Sequence, residues 1–463
     1  MEFPMNIRLS QYGRASAQPS PVNRMMEDFA SDFRDGVDIN LGIGYVNEKT
    51  IPVSLLTEAA QVVASDPVKY RQAFNYGGPA GSANLVKSLR DFLAGAPSGC
   101  LDETAVASRR LIVGPCGATS ILDGLTDVMA AGLVVTSDPM YYIYCDALER
   151  KGFEVLAVPE DEEGLAIAAL ERKLQAPGGA VDRLAFFYVV TVNNPTCTIL
   201  SNRRRRALLE LAGRLSREQE RRIPIFYDLA YELLLHDPLA EPFVSVLADD
   251  NAGIAYEIGT LSKVLAPGLR IGYLLGPDGP LMNAMVQRTS DAGFSAPPFV
   301  QEMASYLLDR HVTGQICAVN AEYRNKAVAV REAIERSLGD LLEECRGGSA
   351  GFYFYLTFRD VETHPSSSFF RFLTRTTGDT AVDGPTGKRG PRVMYIPGEY
   401  CVHPRGDLVA QGKRQLRLSY GFEDVPAILR AIEWMREAAE YARGRDPMGR
   451  IAARGHQAIS SLH

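Results

Sequence analysis

Patterns that would hold metals or disulfides are missing from this chain. Its seven cysteines are scattered, with no Cys-x-x-Cys pair. That argues against a zinc ribbon or a disulfide frame and for reduced thiols in the cytoplasm. The six histidines include no His-x-x-x-His pair, so no metal is expected. No apolar run approaches the roughly 20 residues that cross a bilayer, so no membrane association is expected. The first 13 residues lack the basic-then-apolar order of a signal peptide. A basic excess is absent too. With 49 Lys and Arg against 56 Asp and Glu, the net charge is −7, which gives no footprint for nucleic acid. The one basic run, Arg203 to Arg206, opens a helical stretch and is expected to be a solvated helix face. No internal repeat is visible.

What is present is ordinary for a globular protein. The chain has 463 residues, 46% of them hydrophobic and 23% charged, enough for a large core or two domains. Residues 1–37 read as an arm plus a polar helix. Residues 53–64 carry apolar positions at helical spacing, and a Gly-Gly-Pro-Ala-Gly loop opens a further helix near 82–93. From residue 111 short apolar segments alternate with helical stretches. They are 111–113, 132–138, 153–159, 183–192, 223–229, 254–260 and 270–276. This alternation predicts an α/β fold, a mostly parallel sheet with helices on both faces. In such sheets sites lie at the carboxyl ends of strands. Residues 281–311 look helical, and a longer amphipathic helix follows near 314–337. The remainder mixes strands at 351–358, 392–398 and 415–421 with a helix at 425–442, an α+β texture. The expected division is an arm and part of a small domain over 1–69, a large domain over 70–325, a small domain over 326–445 and a loose tail over 446–463.

The stretch 260–270 carries the most pointed chemistry. Ser262 precedes Lys263 in an apolar setting, where desolvation pushes an ammonium toward a nucleophilic amine. Arg270 follows a Pro-Gly turn and is placed to clamp an anion. Other candidates sit at strand ends. Gly117, Ala118 and Thr119 open a helix after a strand, where free N–H groups favour phosphate. Tyr141 or Tyr142 offers a ring for stacking. Asn194 can donate to a phenolate oxygen. Asp228, ending a buried strand three residues before Tyr231, requires a positive partner: a protonated pyridine nitrogen, or a lysine or arginine. Arg417 interrupts an apolar strand and requires an anion, either a substrate carboxylate or an internal partner. Gly42 and Gly44 let backbone approach a ligand closely. Tyr76 stands before its glycine loop.

Taken in order, the Tyr76 loop, Gly117-Ala118-Thr119, Asn194-Pro195, Asp228-x-x-Tyr231, Ser262-Lys263 with Arg270, and Arg417 resemble the fold type I, class I/II aminotransferases. The resemblance spans about residues 39 to 422. Within the family the segments around 393–422 look closest to the 2-aminoadipate and multi-substrate branch. It implies a three-layer large domain with a smaller α+β domain and pyridoxal 5′-phosphate as cofactor. An amino group would then pass from an L-amino acid to a 2-oxo acid. Lys263 would form a Schiff base and shuttle the Cα proton. Asp228 would keep the pyridine nitrogen protonated. Asn194 and Tyr231 would bond the cofactor's phenolic oxygen, and Tyr141 would stack on its ring. Gly117, Ala118, Thr119, Ser262 and Arg270 would hold the phosphate. Arg417 would clamp the substrate carboxylate, in a pocket lined by the Gly42 segment and Asn194. Tyr76 would reach the neighbouring subunit's phosphate, which implies a homodimer.

Two departures stand out. Cys197 replaces the family's usual glycine after Asn-Pro-Thr. Ser290 to Gly293, before Pro297-Pro298, offers no second arginine for a side-chain carboxylate, which disfavours a dicarboxylate held that way, and the many tyrosines and phenylalanines near the site segments favour an apolar or aromatic side chain. Two other outcomes share the same parts. One is a lyase or oxidase on the same fold. The other is the sensing domain of a transcription regulator, whose DNA-binding domain the first 40 residues are too short to form.

Overall fold

The computed structural model describes residues 7–95, 101–176, 178–375, 380–383 and 390–445. The expected tail, 446–463, lies outside the described residues. Among them, eight strands form the main sheet: β2 (Arg110–Val113), β3 (Leu133–Asp138), β4 (Glu154–Asp161), β5 (Gly164–Leu165), β6 (Leu184–Val190), β7 (Ile225–Asp228), β8 (Ala255–Thr260) and β9 (Gly272–Gly276). Their order is β2-β9-β8-β7-β6-β3-β4-β5. Pairings β4/β3, β3/β6, β6/β7 and β7/β8 are parallel, while β9 runs antiparallel to both β8 and β2. The mostly parallel α/β sheet expected from the sequence is therefore present.

The central strands are apolar on both faces because both faces are covered. In β6, Phe186, Tyr188 and Val190 join one core cluster, while Phe187 and Val189 join the other. The same period of two sends Phe226 of β7 to one side and Ile225 and Tyr227 to the opposite side. Burying one such side chain stabilises the fold by about 1.5–3 kcal/mol, so the three-layer arrangement rests on this alternation. Helices Gly117–Val128, Tyr142–Arg150 and Pro280–Gly293 supply the first cluster. Helices Ala83–Ala94, Ile167–Gln175, Asn202–Glu218 and Pro298–Arg310 supply the second. Ser82 and Ser201 cap two of these helices, accepting from the N–H groups of Leu85 and Arg204.

A second sheet has the order β10-β11-β14-β13, made of β10 (Leu342–Gly347), β11 (Tyr353–Phe358), β13 (Ile396–Pro397) and β14 (Gln415–Ser419). A short parallel pair, β1 (Ile39–Asn40) with β12 (Val393–Met394), ties the N-terminal segment to this part of the chain. The 27-residue helix Val312–Leu338 packs on the last helix, Val425–Arg445, and buries Ile316, Val319, Tyr323, Ala327 and Val330 at helical spacing.

Two expectations need correction. The helical stretch 281–311 is two helices, broken where Phe294 takes a left-handed φ of 67° ahead of Pro297. Nor is the run Arg203 to Arg206 a solvated face. Arg204 and Arg205 are buried, Arg205 against the equally buried Glu232 and Arg204 against Asp161 and Glu163. Their acidic partners come from other elements, so the run alone could not show it.

Candidate active site

The main sheet gathers the candidate residues at one edge. Tyr141, Asn194, Asp228 and Lys263 follow or end β3, β6, β7 and β8 at their carboxyl ends. Arg270 precedes β9 and reaches the same edge because β9 runs against β8. A cavity of about 250 Å³ opens there. Its wall includes Ala118, Thr119, Tyr141, Asn194, Asp228, Tyr231, Ser262, Lys263 and Arg270. Tyr142, by contrast, is buried in its helix and forms no part of this wall.

The helix Gly117–Val128 begins without a side-chain cap. Its first-turn N–H groups are therefore available to an anion. Gly117 has φ of 67°, and a side chain there would meet the Arg270 Nη2 at 2.8 Å. Gly272 allows a closer approach still: a Cβ would lie 2.2 Å from the Ala118 nitrogen. These two glycines let helix, strand and guanidinium converge. Arg270 itself holds a left-handed φ of 52° and donates to the carbonyls of Pro267 and Cys116 at 3.3 Å each. Ser262 Oγ accepts from Thr260 at 2.9 Å. N–H groups, a hydroxyl and a guanidinium form a donor set suited to phosphate.

Asp228 is 4% exposed. Its Oδ2 accepts from the Tyr188 hydroxyl at 2.7 Å and its Oδ1 from the Ala230 N–H at 3.0 Å. No lysine or arginine forms an ion pair with it among the described residues. Loss of water raises its pKa, opposed by those two hydrogen bonds and by the charge of Lys263. A buried carboxylate facing a cavity with two neutral donors has an unfilled requirement for a cation.

Lys263 is half-buried, with Nζ 5.4 Å from the ring centres of both Tyr231 and Phe352. It donates to the Gly44 carbonyl at 3.1 Å. Loss of water, then the charges of Arg417 and Arg270, push its pKa down to about 8, with Asp228 acting the other way. The amine is thus part-deprotonated near neutral pH.

Arg417, the middle residue of β14, enters from the second sheet. Its Nη1 donates to Asn194 Oδ1 at 2.8 Å and its Nη2 to the Gly42 carbonyl at 2.5 Å. Its buried Nε has no partner. Asn194, with its oxygen engaged by Arg417, keeps its amide N–H groups for the cavity. Gly42 and Arg417 therefore adjoin the cavity through this hydrogen-bond chain. Tyr76 does not. It is 79% exposed and touches Phe294, itself 58% exposed.

Sequence reading missed two residues that structure this site. Tyr188 supports Asp228, and Tyr353 bonds Tyr231, hydroxyl to hydroxyl, at 2.8 Å. The alternation of the aromatic run 351–358 was the available signal. Period two puts Tyr353 on one face of β11, and only the pairing with β14 shows that Arg417 shares it. Cys197, noted for replacing glycine, takes the left-handed φ of 52° that glycine would favour.

The cradle of N–H groups, the orphaned Nε of Arg417 and the cation-seeking Asp228 together fit a phosphate-bearing, ring-protonated ligand. Comparison with known proteins identifies the family. Residues 38–376 match the family model described as aminotransferase class I and II. A 413-residue match, 23% identical, covers 88% of this chain and 74% of an uncharacterized HTH-type transcriptional regulator, YisV, of Bacillus subtilis. A 2-aminoadipate transaminase of Thermus thermophilus is 29% identical over 308 residues, covering 66% of this chain and 68% of that one. Among solved structures, a multiple substrate aminotransferase from Thermococcus profundus superposes with a TM-score of 0.78 at 21% identity. That superposition covers 94% of this chain and 98% of the other.

Proposed function

From its membership of the class I and II aminotransferases, a family that works with pyridoxal 5′-phosphate, we propose that this chain moves an amino group from an L-amino acid to a 2-oxo acid, with Lys263 as the attachment point. The observation that carries the reading is the pairing of a desolvated amine, Lys263, with a buried carboxylate, Asp228, across one cavity. When bound, the cofactor supplies an aldehyde that captures amino groups and a protonated ring that withdraws the electron pair left at the substrate Cα.

The chain's own residues do the rest. Lys263 Nζ would be the base that takes the Cα proton. Asp228 provides the negative charge that keeps a ring nitrogen protonated. Asn194 and Tyr231 donate toward the phenolic oxygen, and Tyr141 covers the ring. Gly117, Ala118, Thr119, Ser262 and Arg270 hold the phosphate. Arg417 binds the α-carboxylate beside Gly42, using a guanidinium fork held in place by Asn194.

The donor we favour carries an apolar or aromatic side chain. Ser290 to Gly293 provides no arginine, and the two arginines at the cavity, Arg270 and Arg417, already have their anions in this scheme. The relative named for 2-aminoadipate, a dicarboxylic amino acid, marks the competing class. The exposed aromatics Phe74, Tyr76 and Phe294 support a homodimer in which Tyr76 completes the partner's phosphate site. The free thiols support a cytoplasmic setting.

A panel of L-amino acids with 2-oxoglutarate, scored for keto-acid product, tests the proposal. Product should appear with wild type and vanish in Lys263→Ala. Ammonia release without glutamate would point instead to elimination. Cofactor uptake without any product would favour the sensing role suggested by the regulator relative.

A further inference from the structure

Tyr353 opens β11, is 1% exposed and is fixed from several sides. The Arg417 guanidinium lies 4.3 Å from its ring centre. The rings of Phe352 and Tyr231 meet it edge-on at 4.8 and 5.6 Å. Behind it, the Cys197 sulfur faces the backbone N–H groups of Tyr353 and Phe352. A side chain at Gly351 would meet that sulfur at 2.7 Å, so Cys197 and Gly351 are matched in size. In front, a side chain at Gly44 would meet the Tyr353 hydroxyl at 2.6 Å. Gly44 also carries the carbonyl that accepts from Lys263. The Tyr353 oxygen is held 2.8 Å from the Tyr231 oxygen.

Two hydroxyls at that distance share one hydrogen, and one of them must donate. Tyr231 is on the cavity wall and Tyr353 stands behind it. An anionic oxygen in the cavity would draw the Tyr231 hydrogen, leaving Tyr231 to accept from Tyr353. Donor chains of this kind polarise one another and strengthen by about 10–30% per bond. We propose that Tyr353 is a positioning residue that acts through Tyr231, donating to its hydroxyl and so strengthening the bond Tyr231 gives to the phenolic oxygen of the bound cofactor. This rests on the pyridoxal-phosphate reading above. The other titratable and charged groups facing the pair are Tyr141, Tyr142, Cys197 and Arg417, with Lys263 over the Tyr231 ring. Tyr353→Phe removes the donor and keeps the ring beneath Arg417.

The test is a cycle of Tyr353→Phe, Tyr231→Phe and the double variant, each loaded with cofactor. The readout is the pH midpoint of the change in the cofactor's visible absorbance. A donor to the phenolic oxygen favours its anionic form, so weaker donation raises the midpoint. Tyr353→Phe should raise it by roughly 0.1–0.7 pH units. Tyr231→Phe should raise it further, and the double variant should match Tyr231→Phe alone. No shift in Tyr353→Phe, or the same shift with and without the Tyr231 hydroxyl, would overturn the proposal while leaving the cofactor reading intact. A wild type that takes up no cofactor would overturn both.

Discussion

The depressed pKa of Lys263 makes a prediction about stability that needs no substrate. In cofactor-free protein, the fall from 10.5 to about 8 corresponds to about 3 kcal/mol. Desolvation is the largest cause, followed by Arg417 and Arg270. The sign follows from proton counts. Below about pH 8 Lys263 is protonated in both folded and unfolded chains, and the folded state carries the whole penalty. Between about 8 and 10.5 the unfolded chain binds a proton that the folded chain does not, so stability rises with pH. Above 10.5 neither form binds it and the penalty is gone. Lys263→Met removes the ammonium and fills similar volume. The difference in unfolding free energy, variant minus wild type, should therefore shrink by about 2–3 kcal/mol between pH 7 and pH 10. Urea titrations of both proteins, stripped of cofactor and held at one protein concentration, measure it. Tyrosines and other groups titrating in that range contribute to both proteins and largely cancel. Parallel stability curves from pH 7 to 10 would mean that Lys263 titrates normally, and the argument for a desolvated amine would be wrong.

Other outcomes follow from particular contacts. Arg417→Gln should raise KM for the amino donor about 30- to 1000-fold, the loss of roughly 2–4 kcal/mol from a charge-assisted carboxylate clamp, with a smaller change in kcat; steady-state kinetics would show it. Asp228→Asn should lower kcat at least ~100-fold while the protein keeps its fold by circular dichroism, since the amide oxygen can still accept from the Ala230 N–H and the amide NH2 can donate to the Tyr188 hydroxyl. Arg205→Ala strands Glu232, buried at 3% exposure with Thr191 as its other partner; a loss of about 3–5 kcal/mol in urea unfolding is expected. Tyr76→Ala should weaken cofactor binding about 10-fold in a fluorescence titration without altering the stripped protein's thermal midpoint, as an exposed side chain at another subunit's site would.

What the sequence reveals and conceals divides along a physical line. Seven of the eight strands of the main sheet were legible because burial on both faces writes a continuous apolar run: β6, for instance, is LAFFYVV, whereas the two-residue edge strand β5 is too short to write one. The polar residues at their ends were legible because hydrophilic groups at the close of such runs are expensive to bury and must have a purpose. Strand β10 was not legible. It pairs only with β11, lies at the sheet's edge and is half-exposed, so it lacks an apolar signature. Nor could the run 203–206 disclose that its middle two arginines are buried, since Glu232 and Asp161 reach them from distant positions.

The site divides in the same way. Lys263, Asp228 and Asn194 each stand beside local signals, a strand end or a Pro turn, that mark them as candidates. Tyr353 has no such marker: in GFYFYLTF it is one aromatic among five. Its importance arises only when β11 pairs with β14, which puts Tyr355 opposite Arg417 and Tyr353 diagonal to it, and when the second sheet then meets the edge of the first at Tyr231. A residue that works by supporting another is specified by a register and a packing contact between segments more than 100 residues apart. Local pattern can therefore nominate the groups that touch a ligand, but the groups that hold their protons and orient them emerge only from the assembled fold.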